Sequence, residues 1–288
     1  MTRIGAVFNP WRHAPEELRD AVQVAEEAGI PELWLWEDCF RESGYASVAA
    51  ALAWTKDLRI GLGIAPFPLR NAAVTAMEIA TIERMFPGRF YPGLGHGVQS
   101  WMAQAGVKVA SPLTLMREQT HAIRALLAGD EVTVSGRYVS LDAVKLDWPI
   151  DSAPPVYVAA QGPKTLALSG EIADGTVLVA GVTTVEVAAQ VRQVRDARAA
   201  AGIEGEPTII AYVTAAFGAD AAERIVAQHG PGAVESGRGV CGSPEEIAAA
   251  IAAYTDVGVD AVIFDPASGE PDLHEFLRHV GEVARIVG

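Results

Sequence analysis

Basic residues are scarce in this chain. Its 288 residues hold 22 Lys and Arg against 36 Asp and Glu, a formal net charge of −14. A nucleic-acid-binding surface needs a basic face, so that class is set aside. Cysteine is scarcer still. Cys39 and Cys241 lie far apart, with no zinc-binding spacing and no disulfide framework. Two lone thiols suit a reducing cytosol. Long apolar runs are missing as well. The stretch YASVAAALAW stops at Thr55-Lys56-Asp57, short of the roughly 18 residues a membrane span needs. The opening MTRIGAVFNP is too short for a signal peptide. These absences predict a soluble cytoplasmic protein that binds neither membrane nor nucleic acid. Familiar catalytic signatures are absent too: no Gly-x-Ser-x-Gly elbow, no Walker lysine loop and no His-Glu-x-x-His. His13, His96, His121, His229, His274 and His279 are scattered without a matched acidic cluster, so no metal site is expected.

What the chain does have is alternation. Short apolar runs at Arg3–Phe8, Glu32–Trp36, Arg59–Ile64, Phe90–Leu94, Val156–Ala160, Thr176–Val179, Thr208–Val213 and Ala261–Phe264 read as strands. Helical patterns lie between them, among them Glu16–Ala28, Leu113–Leu127, Val185–Ala200 and Pro244–Val257. Pro15, Pro163 and Pro244 stand at first helical positions. Thr183 with Glu186, and Ser243 with Glu246, fit the capping box. Strand-then-helix repetition implies parallel strands. Eight units in this length predict an α/β fold, a single-domain (β/α)8 TIM barrel over residues 1–288. An open doubly wound sheet is the rival. It would more often have about six strands and a Gly-x-Gly-x-x-Gly turn after the first, whereas strand 1 here ends in Phe8-Asn9-Pro10-Trp11. One segment, Glu131–Trp148, alternates with period two around Ser135-Gly136 and reads as a hairpin inserted before strand 5. The loops after strands 6 and 7 read as short.

In such a barrel the site forms at the C-terminal strand ends. Aromatic, polar and glycine residues gather in those loops: Trp11; Asp38 and Cys39; Phe67 and Arg70; Gly95, His96, Gly97, Trp101 and Met102; and Gln161-Gly162-Pro163-Lys164. The opposite joints are plain, and this asymmetry points to an enzyme. The turn after strand 5 has two readings. A helix beginning after Gly162 would present free amides and positive charge to a phosphate; equally, Gly-Pro simply opens a helix beside a solvated lysine. Gly93, Gly95 and Gly97 either let a flat ring lie on backbone or make a tight turn. His96 is a proton donor or a hydrogen-bonded loop residue. Asp38 binds a ligand or caps a helix. Cys39 can be a small buried hydrophobe. Trp11, Phe67, His96, Trp101 and Met102 are candidates to wall a substrate pocket, and Asp38, Cys39, Phe67, His96, Trp101 and Met102 to line a single cavity. No catalytic residue is assigned.

Four stretches together carry a resemblance: ELWLWEDCF (32–40), RIGLGIAPFPLRNAAVTAMEIATIERMFPGRFYPGLGHG (59–97), PVYVAAQGPKTLALSGEIADG (155–175) and VCGSPEEIAAAIAAYTDVGVDAVIF (240–264). With them the chain resembles the luciferase-like monooxygenase superfamily, and within it the branch that uses the deazaflavin coenzyme F420. The resemblance implies a barrel with a deazaflavin or flavin at its C-terminal end. It implies that the cofactor phosphate lies on the backbone of Ala160, Gln161, Gly162 and Pro163, near Lys164. It places Asp38 at the ring edge beside Cys39, a non-proline cis peptide at Gly63-Ile64 behind the ring next to Ala65, and Gly95 and Gly97 in the cofactor turn. Where the F420-dependent sugar-phosphate dehydrogenases have histidine, glutamate and asparagine, this chain has Cys39, Val98 and Trp101. The resemblance therefore does not extend to that reaction. It implies a coenzyme F420-dependent oxidoreductase passing a hydride between deazaflavin and an apolar or conjugated small molecule. The alternatives are an FMN-dependent monooxygenase or a non-catalytic binding barrel. F420 carries charge beyond its phosphate, for which Arg12, Arg70 and Lys164 are candidate partners. A homodimer is expected.

Overall fold

Residue alternation along each strand sorts the chain into an inside and an outside. A computed structural model describes residues 2–288. Its ring strands are β1 (Arg3–Val7), β2 (Glu32–Leu35), β3 (Arg59–Pro66), β4 (Phe90–Gly95), β7 (Tyr157–Ala160), β8 (Gly175–Leu178), β9 (Thr208–Phe217) and β11 (Ala261–Pro266). They pair in that order, all parallel, and β11 closes on β1. The eight strand segments read from sequence are the eight of the ring.

Ile4, Ala6, Leu33, Leu35, Ile60, Leu62, Val158, Ala211 and Phe264 point outward into the core shared with the surrounding helices. Val7, Trp34, Tyr157, Val177, Ile210 and Ile263 point inward, joined by Trp36, Tyr91, Ala159 and Tyr212. At the N-terminal end the Trp34 ring lies 6.2 Å from Tyr91 and 6.3 Å from Tyr157. Beneath them Glu32, 1% exposed, accepts from Arg3 Nε at 3.0 Å and from Trp34 Nε1 at 3.1 Å. A buried carboxylate persists only when so partnered. This aromatic floor closes one end of the barrel.

The helices follow their capping signals. Helix α7 (Thr184–Ala200) and helix α9 (Pro244–Asp256) carry both capping boxes, at Thr183/Glu186 and Ser243/Glu246. Helix α6 (Pro163–Ile172) opens with its proline. The inserted hairpin is β5 (Val132–Ser135) against β6 (Ser140–Val144), antiparallel. The segment after the seventh ring strand departs from expectation. Strand β9 does not stop at Val213; Thr214–Phe217 continue it and pair with an added strand, β10 (Gly239–Gly242), and Ala216 and Phe217 run past the last residue paired with β11. Helix α8 (Ala221–His229) lies between them in sequence. The small residues of Thr214-Ala215-Ala216 gave no strand signal, so the connection read as short.

Candidate functional site

One irregularity shapes the barrel mouth. Between β3 and β4 the register slips, so that Leu62-Gly63-Ile64-Ala65 oppose Pro92-Gly93-Leu94. The extra residue is a bulge, and it turns both Gly63 and Ile64 toward the interior. The peptide bond between them is cis, as the resemblance implies; a second non-proline cis bond joins Cys39 to Phe40. A Cβ at Gly95 would stand 2.8 Å from Ile64 Cγ1 and 3.6 Å from Ala159 Cβ. At Gly63 a Cβ would overlap Tyr212 Oη, and at Gly93 the Leu62 carbonyl oxygen, so Gly63, Gly93 and Gly95 form a glycine wall packed closely around the bulge.

Beside this wall sits Asp38, in the inward frame of Trp34 and Trp36. Its Oδ2 accepts from Trp11 Nε1 at 2.6 Å. Burial pushes its pKa up, opposed by the Trp11 and Trp36 N–H groups and by Arg41. The Trp36 N–H closes no hydrogen bond of ordinary geometry, although it lies near enough to favour the carboxylate. Trp11, 48% exposed, packs 5.8 Å from Trp101 and carries the Arg41 guanidinium 4.0 Å above its ring. Burial raises the Cys39 thiol pKa, with Glu37 and Asp38 adding to it.

Across the mouth, the first turn of α6 is open. Gln161, Gly162, Pro163 and Lys164 are all exposed. Among the described residues, the amides of Gln161, Gly162 and Lys164 find no protein acceptor, and Lys164 has no ion-pair partner. Gly162 has φ −79°, and a Cβ there would meet nothing within 4 Å. His96 Nε2 lies 3.3 Å from Thr165 Oγ1, tying the β4 turn to this helix, and burial lowers its pKa. Gly97 follows at φ +66°, a conformation that favours glycine.

Other sequence candidates lie elsewhere. Phe67 is 2% exposed and belongs to the core between strands and helices. Ala65 points into that same core, because the bulge inverts the alternation after Ile64. Met102 is fully buried beneath Gly97. The six residues expected to line one cavity therefore do not all face it; Phe67 and Met102 support the mouth from behind. Ala160 also points outward, leaving only its backbone for a ligand. Arg70 is no tail ligand: it pairs with Glu37 at 2.5 Å and Glu78 at 2.9 Å behind β3. Arg12 is bound to the carbonyls of Pro266 (3.1 Å) and Ala267 (2.6 Å).

Sequence reading missed the wall formed by β9 and β11. Tyr212 Oη donates to the Gly63 carbonyl at 3.1 Å, reaching across the barrel to the bulge. Asp265 continues the inward frame of Ala261 and Ile263, and its Oδ1 accepts from Asn9 Nδ2 at 3.4 Å. Its ladder partner is Thr214, whose hydroxyl lies 2.9 Å from His229 Nε2. Strand parity, had it been carried to the end of strand 8, singles out Asp265. Among the described residues no group of three or more His, Cys, Asp or Glu gathers as metal ligands would, and no helix is long and apolar enough to cross a membrane.

Several comparisons bear on this site. Residues 5–228 match the family model for luciferase-like monooxygenases. A 5,10-methylenetetrahydromethanopterin reductase of Methanolobus tindarius is 26% identical over 90% of this chain and 93% of its own length. An F420-dependent glucose-6-phosphate dehydrogenase of Beutenbergia cavernae is 31% identical over 63% of this chain, but this spans only 57% of that protein. Among solved structures, an F420-dependent secondary alcohol dehydrogenase in complex with an F420-acetone adduct superposes with TM-score 0.87 at 20% identity, covering 100% of this chain and 99% of the other. The oxygenating constituent of 3,6-diketocamphane monooxygenase from Pseudomonas putida, in complex with FMN, gives 0.80 at 14%, covering 99% and 98%. The structural likenesses speak to the barrel alone. The family match, over most of the chain and across both the glycine wall and the open helix, makes this protein a member of the luciferase-like monooxygenase family.

Proposed function

We propose that the protein is a coenzyme F420-dependent oxidoreductase that passes a hydride between the deazaflavin and an apolar or conjugated small molecule. The observation that carries this reading is the pairing of the glycine-lined bulge with an open helix start at one barrel mouth. The residues fit the coenzyme. Unpaired amides at Gln161 and Gly162, with Lys164 beside them, suit its phosphate. The bulge at Gly63 and Ile64 would back a flat ring, with Asp38 and Cys39 at its edge. When bound, the deazaflavin supplies the hydride chemistry. The chain's own part is to hold it, to position the substrate and to exclude water. The aromatic floor keeps water out from below, and Trp11 and Trp101 cover the side near Asp38. The relative named as an F420-dependent dehydrogenase, 31% identical over 63% of this chain, supports the deazaflavin over FMN. The departures at Cys39, Val98 and Trp101 argue against sugar-phosphate oxidation despite the partial match to a dehydrogenase of that kind.

This reading treats residues 1–288 as one cytoplasmic domain working as a homodimer. The exposed apolar residues Val74, Met77 and Met85 of helix α3 (Ala72–Met85), with Trp148, provide a face for a second copy. The test is titration of purified protein with F420 and, separately, with FMN, followed by tryptophan quenching. Saturable binding of F420 and weak binding of FMN is the expected result. Preference for FMN points to the oxygen-using alternative, and binding of neither to a non-catalytic barrel.

A further inference from the structure

Asp265 is a carboxyl group at the barrel mouth that the cofactor reading does not use. It faces inward at the C-terminal end of β11, one layer above Ile263. Asn9, 7% exposed and itself anchored by its Oδ1, which accepts from the Trp11 amide at 2.9 Å, donates through Nδ2 to one of its oxygens, Oδ1. The other oxygen, Oδ2, has no hydrogen-bond partner among the described residues and is not sealed from solvent. The side chain is therefore held from one edge and free at the other. Its wall, β9 and β11, stands across the ring from the glycine wall of β3 and β4. The groups that face it are Asn9, Thr214, the Tyr212 hydroxyl and the Arg12 guanidinium, with His229 behind Thr214.

We propose that Asp265 is the proton-donating residue of this mouth, and that its substrate is a conjugated carbonyl compound whose oxygen lies toward β11 and whose C=C bond lies toward the glycine wall. The proposal rests on the hydride-transfer reading above, with reduced F420 as the two-electron donor. As a hydride reaches the β-carbon, the C=C π electrons shift and the carbonyl oxygen gains charge as an enolate. The Asp265 O–H bond breaks, a new O–H bond forms on that oxygen, and the resulting enol tautomerises to the saturated carbonyl compound. Asp265 is left as a carboxylate and regains its proton from water. The step needs a carboxylic acid that still holds its proton in mildly acid solution, a condition that burial supports by raising this group's pKa to about 6.

Two measurements decide it. Infrared difference spectra of the ligand-free protein should show a protonated carboxyl band that disappears as pH rises through about 6 and is absent from Asp265→Asn. Cyclohex-2-enone is then offered with reduced F420. The parent should reduce it at a rate that falls over the same pH range. Asp265→Asn should be slower by about a hundredfold with a flat profile, and Asp265→Glu should restore the pH dependence. F420 binding by quenching is followed in all three proteins. Equal rates in parent and Asp265→Asn, an unchanged pH profile, or no turnover of the enone by parent that binds F420 overturns the proposal. Absence of F420 binding in the parent overturns the functional reading on which it rests, while the infrared titration still reports whether Asp265 holds the proton.

Discussion

Tyr212 and Gly63 meet across the interior of the barrel, the hydroxyl donating to the carbonyl at 3.1 Å. The two residues belong to β9 and β3, which are not neighbours in the ring. This bond satisfies a carbonyl that the bulge turns away from the ladder, and burial pushes the Tyr212 pKa up, keeping the phenol a donor. Tyr212→Phe should lower stability by about 1–3 kcal/mol, the range for leaving a buried polar group unpaired. Urea denaturation measures it. An unchanged midpoint with unchanged slope would mean that water replaces the hydroxyl at no loss.

Gly61 sits one layer deeper, facing Trp34. A Cβ there would overlap the indole ring, and that ring is hemmed by Tyr91, Tyr157 and Tyr212. Gly61→Ala should therefore destabilise by about 3 kcal/mol or more, since the ring cannot yield without disturbing the floor. Thermal melting against the parent tests this, and a melting point within a degree or so of the parent rules the packing argument out.

Gly162 offers the opposite case. Its φ of −79° suits any residue, and its Cβ position is open. Gly162→Val should fold and melt like the parent. Its side chain would nevertheless stand where the phosphate is proposed to lie. Loss of two charge-assisted bonds, each about 1.5–3 kcal/mol, should weaken F420 binding by at least about tenfold. Quenching titrations of the folded variant read this, and parental affinity would place the phosphate elsewhere.

Asp265 makes stability depend on pH. Its carboxyl, ordinarily at 3.8, is pushed up to about 6 by burial, against the opposing effects of Arg12 and Asn9. The folded protein then holds this proton more tightly than the unfolded chain does. The contribution is fully present below about pH 4 and is lost as pH rises through about 6. Asp265→Asn removes the buried charge. At neutral pH it should be more stable than the parent by about 2–3 kcal/mol, with the gap closing in acid. Denaturation curves at several pH values show whether the two converge.

Asp38 should be visible through Trp11. Protonating it weakens the 2.6 Å bond from the indole N–H. Trp11 emission should shift on acidification, with a midpoint above the ordinary aspartate value because burial raises the pKa. The step should vanish in Asp38→Asn and in Trp11→Phe.

The ring was legible because its strands repeat a simple code: apolar outward residues, bounded by glycine or proline, each run followed by a helical pattern. The glycine wall and the open turn at Gly162 were legible as punctuation after strands 4 and 5. Side-chain direction was less so. Phe67, Ala65 and Met102 look like pocket residues by position, yet the bulge and the following turn send them into packing. Arg70 looks like a free cation until Glu37 and Glu78, on separate elements, claim it. Tyr212 and Asp265 were missed because their meaning lies in partners, Gly63 and Asn9, that only closure of the ring brings near.

The overhang of β9 gives the barrel one tall side. Strand β10 leans on it, and Ala216, Ala221, Ile225, Ala233 and Ala267 bind the two through a small core separate from the main one. That parapet can gain or lose residues while the ring beneath keeps its packing. Changes within residues 218–238 would therefore reshape one rim of the barrel while the aromatic floor and the glycine wall keep their own contacts.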